Sequence, residues 1–232
     1  RHFEAALQQL SRAVELDPMS LAIKMSLGLF FHYSGKTQQA LEEYHRVLEI
    51  DPDFAQALIF EAHAYREAGE IEKARESAMR AAELTDGRPP ATVALATAHA
   101  AAGDPERARW LLDKLFQPKD GRFVSPTYIA LVYAALGEID LALSVLDRAC
   151  QLRASELIWL AVEPLYKPLQ GTEKFRQLLQ EVGLAPRMRE QLTLGNLRFL
   201  QGHDHEQVRA CKVFILTVGT PLDEAGQPRM DM

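Results

Sequence analysis

The chain of 232 residues has little of what clustered chemistry needs. It has two cysteines, Cys150 and Cys211, and no Cys-x-x-Cys spacing. Two thiols so placed frame neither a disulfide scaffold nor a zinc knuckle, and such sparing use fits a reducing, cytoplasmic setting. No cluster of Lys and Arg occurs, and 26 basic against 32 acidic residues leave a formal net charge of −6. A duplex-binding surface needs such a cluster to displace phosphate counterions, so no nucleic-acid partner is expected. The longest apolar run near the C-terminus, Val213 to Val218, falls far short of the ~20 residues that span a bilayer. Glycine-rich phosphate loops, nucleophile elbows and paired-histidine metal motifs are all missing. Of the seven histidines only His203 and His205 lie close together, as a metal pair or as an incidental cluster. No catalytic residue, cofactor or metal is therefore expected in this segment.

What is present is a period. Glycines stand at Gly35, Gly69, Gly103 and Gly137, each 34 residues from the last. Alanines keep the same interval at Ala40, Ala74, Ala108 and Ala142, with Ala6 one period upstream. A repeat of this length is one helical hairpin per unit, stacked into a solenoid.

The first helix, Phe3 to Leu16, carries apolar residues at i, i+3, i+4 and i+7 spacing, and Asp17-Pro18 ends it. By phase it is the second helix of a hairpin, so the chain is expected to be a fragment that begins within a repeat. A complete unit follows, with helices predicted over Leu21 to Ser34 and Thr37 to Ile50. Gly28 and Ala40 mark close approach of the pair, Leu27, Phe31, Tyr44 and Val47 fill the space beside them, and Gly35 suits the left-handed position past a helix end. This pattern of Leu27-Gly28, Phe31, Gly35, Ala40, Tyr44 and Pro52 resembles the tetratricopeptide repeat. Later units read Ala62, Tyr65, Gly69, Ala74, Ala78, then Ala96, His99, Gly103, Ala108, and then Ala130, Tyr133, Gly137, Ala142. The linkers Asp86 to Pro90 and Gln117 to Pro126 interrupt the rhythm, and looser stacking or a bend is expected there.

After Cys150 the chemistry changes. Pro164 and Pro168 fall inside what should be a first helix, and an interior proline costs on the order of 3 kcal/mol, so that helix should break. The stretch Val162 to Leu184 resembles the closing segment of repeat arrays in bacterial signalling proteins, namely serine/threonine kinases, adenylate cyclases and winged-helix regulators. Gln170 and Thr172-Glu173 depart from that pattern. Phe175, Leu178, Leu179 and Val182 are its expected inner face. The expected division is repeats over residues 1–154, a degenerate capping repeat over 155–185, and a tail over 186–232. In the tail, Met188 to Leu200 reads as a helix and Cys211 to Val218 as strand-like.

The expected fold is all-α, a right-handed tetratricopeptide-type solenoid with a proline-broken capping segment. In this family the first helices line the inner groove. Carried onto this sequence, the family's ligand positions give Met25, Leu29, His32 and Tyr33, then Gln56, Ile59, His63 and Arg66, then Thr97 and Thr127. The lysine and asparagine that grip a C-terminal carboxylate are replaced by Met25 and Leu29, then by Ile59 and His63, so an apolar or amphipathic peptide suits the groove better. His99 takes the position of Phe31, Tyr65 and Tyr133 and is read as packing. The expected function is a non-catalytic protein-interaction module, which the resemblance places at the C-terminal end of a larger bacterial signalling protein. Two alternatives are a substrate-recruiting domain of an enzyme and a structural scaffold in an envelope or secretion assembly.

Overall fold

A computed structural model describes residues 2–117, 121 and 123–182, and the account below concerns these. They form α1 (His2–Leu16), α2 (Leu21–Tyr33), α3 (Thr37–Ile50), α4 (Ala55–Glu67), α5 (Ile71–Leu84), α6 (Pro89–Ala101), α7 (Pro105–Phe116), α8 (Pro126–Ala135) and α9 (Ile139–Gln151). Two 3₁₀ helices, Ser155–Trp159 and Pro164–Leu169, follow, and then α10 (Glu173–Val182).

Local chemistry sets these boundaries. The Ser20 hydroxyl accepts from the Ile23 amide at the start of α2, and the Asp104 carboxylate accepts from the Arg107 amide at the start of α7. Pro89, Pro105 and Pro126 each occupy a first helical turn, where their missing N–H costs nothing. Each hairpin turns at a periodic glycine in the left-handed region, with φ of 74° at Gly35 and 80° at Gly69.

Helices α2/α3, α4/α5, α6/α7 and α8/α9 pair as hairpins. The first helices α2, α4, α6 and α8 also pack on one another in sequence and form an inner layer. Ala40, Ala74, Ala108 and Ala142 are completely buried where paired helices cross, whereas Ala6 of α1 is exposed. At Gly28 the approach is closest: a Cβ there would stand 2.5 Å from Cε1 of the buried Tyr44 ring. The architecture is the tetratricopeptide-type α-solenoid.

The two interruptions behave differently. Asp86 to Pro90 does not loosen the stack, because Asp86 and Gly87 both take positive φ, Thr92 Oγ1 donates to the Gly87 carbonyl, and α5 packs well on α6. The polar linker is absorbed as a tight turn. Between α7 and α8 the contact is sparse, as expected of the longer break.

The prolines act as anticipated. Pro164 opens the second 3₁₀ helix and Pro168 lies within it, so two tight turns replace a first helix. Their apolar residues Leu157, Leu160, Tyr166 and Leu169 join Leu146 and Ala149 of α9, with Phe175 and Leu178 of α10, in one core. Leu179 and Val182 pack at its edge. The predicted tail elements, Met188 to Leu200 and Cys211 to Val218, and the pair His203/His205 lie outside the described residues.

Candidate functional site: an inner cavity closed by the last segment

The first helices present their inner faces to a cavity of about 420 Å³. Helix α4 contributes Gln56, Ile59, Phe60 and His63, one turn apart along one face. Helix α6 adds Val93, and α8 adds Thr127, Tyr128 and Leu131. Tyr33, at the end of α2, closes one side. The opposite wall comes from the segment after the repeats, through Glu156, Trp159, Glu163 and Tyr166.

Three interactions hold that wall. The Tyr33 and Trp159 rings stack, with centroids 4.6 Å apart and planes 10° apart. The Tyr166 hydroxyl donates to the Thr127 carbonyl at 3.2 Å. Ser125 Oγ donates to Glu156 Oε2 at 3.0 Å. Within the wall, Glu163 caps the second 3₁₀ helix by accepting from the Leu165 amide at 3.1 Å.

Ionisable side chains are buried in the lining, at His63 and Glu163, and behind it, at His32, Arg66 and Glu67. His32 is 1% exposed, edge-on to the rings of Phe60 and Tyr33, with Nε2 3.5 Å from Glu67 Oε1. Burial, and then the charge of Arg66, lowers its pKa to about 4. The same causes push His63 well below the ordinary histidine value, so both rings are neutral near pH 7. Burial pushes Glu67 up to about 7 although Arg66, 3.5 Å away, opposes it. Burial likewise raises Glu163. Arg66 Nε and Nη2 have no hydrogen-bond partner among the described residues, an unusual state for a buried guanidinium.

Of the ten groove positions read from the sequence, Tyr33, Gln56, Ile59, His63 and Thr127 come together on the cavity wall. Met25 instead packs in the core cluster that α2 and α3 share with α1 and α4, and Thr97 is buried in α6 with its hydroxyl donating to the Ala94 carbonyl. Leu29 is half-buried outside the cavity lining, while His32 and Arg66 lie in the layer behind it. Glu156, Trp159, Glu163 and Tyr166 were missed, because they lie beyond the periodic positions. The only signal for them was a run of aromatic and acidic residues around Pro164, where a simple helical face is not expected. His99 packs half-buried beside Asp104, with Nδ1 3.2 Å from Oδ2.

Among the described residues no three His, Cys, Asp or Glu could hold a metal ion. No helix among them is long and apolar enough to cross a membrane. The arrangement is suited to binding.

Family models of the tetratricopeptide repeat match residues 1–53, 31–83 and 89–114. The chain carries tetratricopeptide repeats. Among solved structures it is similar to TTC0263, a thermophilic tetratricopeptide-repeat protein of Thermus thermophilus, at 18% identity and a TM-score of 0.55, over 77% of this chain and 91% of that one. It is also similar to a chain of the Cut9–Hcn1 hetero-tetramer of the APC/C, at 19% identity and a TM-score of 0.50, over 81% of this chain and 37% of that one. At such identities the likeness establishes the tetratricopeptide fold. No curated protein sequence matches the chain.

Proposed function

We propose that this chain is a non-catalytic protein-interaction module that takes a peptide segment of its partner on the inner face of the solenoid. The observation that carries this reading is the cavity itself. Its walls come from the first helices of four successive repeats and from the closing segment, and they combine Ile59, Val93 and Leu131 with a few polar groups such as Gln56 and His63. Such a surface gives affinity through apolar burial and selectivity through the few polar contacts.

The resemblance of residues 162–184 to the closing segments of bacterial signalling proteins favours a regulatory role, at the C-terminal side of a kinase, cyclase or DNA-binding effector. Within the chain this reading divides repeats (1–154) from a capping repeat (155–185) and a tail.

Selection of a displayed random-peptide library against the purified chain tests the binding face. Selected peptides should lose binding to Ile59→Asp and keep it with Met79→Asp, since Met79 is exposed on α5 outside the cavity. Equal loss in both variants, or none in Ile59→Asp, would count against the inner face.

A further inference from the structure

We infer that the cavity holds a basic side chain, the ammonium or guanidinium of a lysine or arginine, from the segment that docks on the inner face. This rests on the interaction reading above and adds the chemistry of the bound group.

The first support is the density of aromatic rings. Tyr33, Phe60, Tyr128, Trp159 and Tyr166 all line a space large enough for one long side chain. Ring faces attract cations within ~6 Å, more strongly once water is displaced. The second support is the placement of carboxylates. Glu156 and Glu163 reach the cavity from the closing segment. Glu156 Oε2 accepts from Ser125 Oγ, and Glu163 Oε1 accepts from the Leu165 amide. Each carboxylate offers about four acceptor sites, so both keep capacity for a donor. The third support is the apolar stretch Ile59, Val93 and Leu131, which matches the methylene stem that lysine and arginine bury below their charge.

The basic groups nearby do not reverse this balance. Arg88 is exposed at the rim, where solvent screens its charge. Arg66 lies behind the wall with Glu67 beside it at 3.5 Å, and its charge also acts on Glu163. His63 is neutral through burial. An anionic guest would meet two acidic side chains, and an uncharged guest would do nothing for the ionised form that burial disfavours at Glu163. A cation answers both.

The test uses the full chain with Trp110→Phe, which leaves Trp159 as the sole tryptophan reporter. The probes are Nα-acetyl-argininamide, Nα-acetyl-lysinamide and the uncharged isostere Nα-acetyl-citrullinamide, titrated against tryptophan fluorescence. Both cations should give a saturable change, and the citrulline probe should bind about tenfold more weakly. Glu163→Gln keeps the helix-capping oxygen and removes the ionisable carboxyl that a bound cation would hold in its charged form, so it should weaken the cations by about tenfold and leave the citrulline probe unchanged. Glu156→Gln makes the same test should the first variant fail to fold. Glu72→Gln, which removes an equal charge from the outer surface, should have no effect. Absence of saturation by the cations would overturn the inference. So would equal binding of citrulline, or an equal loss with Glu72→Gln. Those outcomes leave the peptide-docking reading to its own test at Ile59.

Discussion

The ring of Tyr33, at the end of the first complete repeat's inner helix, lies flat against Trp159 of the closing segment, with centroids 4.6 Å apart. This contact joins parts of the chain 126 residues apart (159−33) and turns an open groove into a walled cavity. A double-mutant cycle with Tyr33→Leu and Trp159→Leu should give a coupling free energy of roughly 0.5–1.5 kcal/mol, the range for aromatic pairs beyond their area burial. Chemical denaturation of the four proteins measures it. A coupling near zero would mean that the stack does not hold the wall.

Gly28→Ala should destabilise the chain despite alanine's better helix propensity, because its Cβ would stand 2.5 Å from a ring atom of the fully buried Tyr44. The expected cost is about 1–3 kcal/mol, the range for overpacking. Tyr44→Leu in the same chain should relieve the clash, so the double variant should lose less than the sum of the singles. Gly35→Ala meets no atom within 4 Å and should cost only the strain of its φ of 74°.

The repeat made most of the fold legible. A period of 34 placed the turns, Gly28 and the alanines placed the helix crossings, and Pro164 placed the break. The site was legible only where it obeys the period. Tyr33, Ile59 and His63 were found because they recur at fixed positions on first helices, and Trp159 and Glu163 were not because no period leads to them. His32 and Tyr33 show how fine the distinction is. Neighbouring residues on a helix point about 100° apart, so Tyr33 reaches the cavity while His32 turns beneath Phe60. The tightness of the Asp86–Pro90 turn was also hidden, since it depends on two consecutive positive φ angles and a threonine hydrogen bond.

Ser77 Oγ donates to Glu61 Oε2 at 2.5 Å between α4 and α5, in a buried setting where Glu61 also meets His45 Nε2 at 3.1 Å. Ser77→Ala leaves the carboxylate short of a donor and should cost about 1–3 kcal/mol. Replacing both as Glu61→Leu with Ser77→Ala should cost less than Ser77→Ala alone. Thermal denaturation of the two variants decides it.

Stability should respond to pH in two opposed ways. His32 holds its proton only below about pH 4 in the folded chain, against 6.5 when unfolded. Between these values the unfolded chain binds more protons, so this group's contribution grows as pH rises from 4 to 6.5 and is lost on acidification. Glu67 ionises near pH 7 when folded, against 4.5 when unfolded. There the folded chain holds the extra proton, so its contribution falls as pH rises from 4.5 to 7. Relative to the parent chain, His32→Phe should therefore improve in Tm from about pH 7 to about pH 5, and Glu67→Gln should improve from about pH 5 to about pH 8. Melting curves across roughly pH 4.5 to 8.5 read both slopes. Parallel curves for parent and variants would contradict the burial of these groups.

The most direct measurement is hydrogen–deuterium exchange of the full chain with and without a saturating peptide selected against it. Docking on the inner face should slow exchange in α4, α6 and α8 and in the 3₁₀ helix Ser155–Trp159, while α5 and α7 keep their rates. Protection concentrated on α5 and α7, with none around Ile59 and Trp159, would contradict the account.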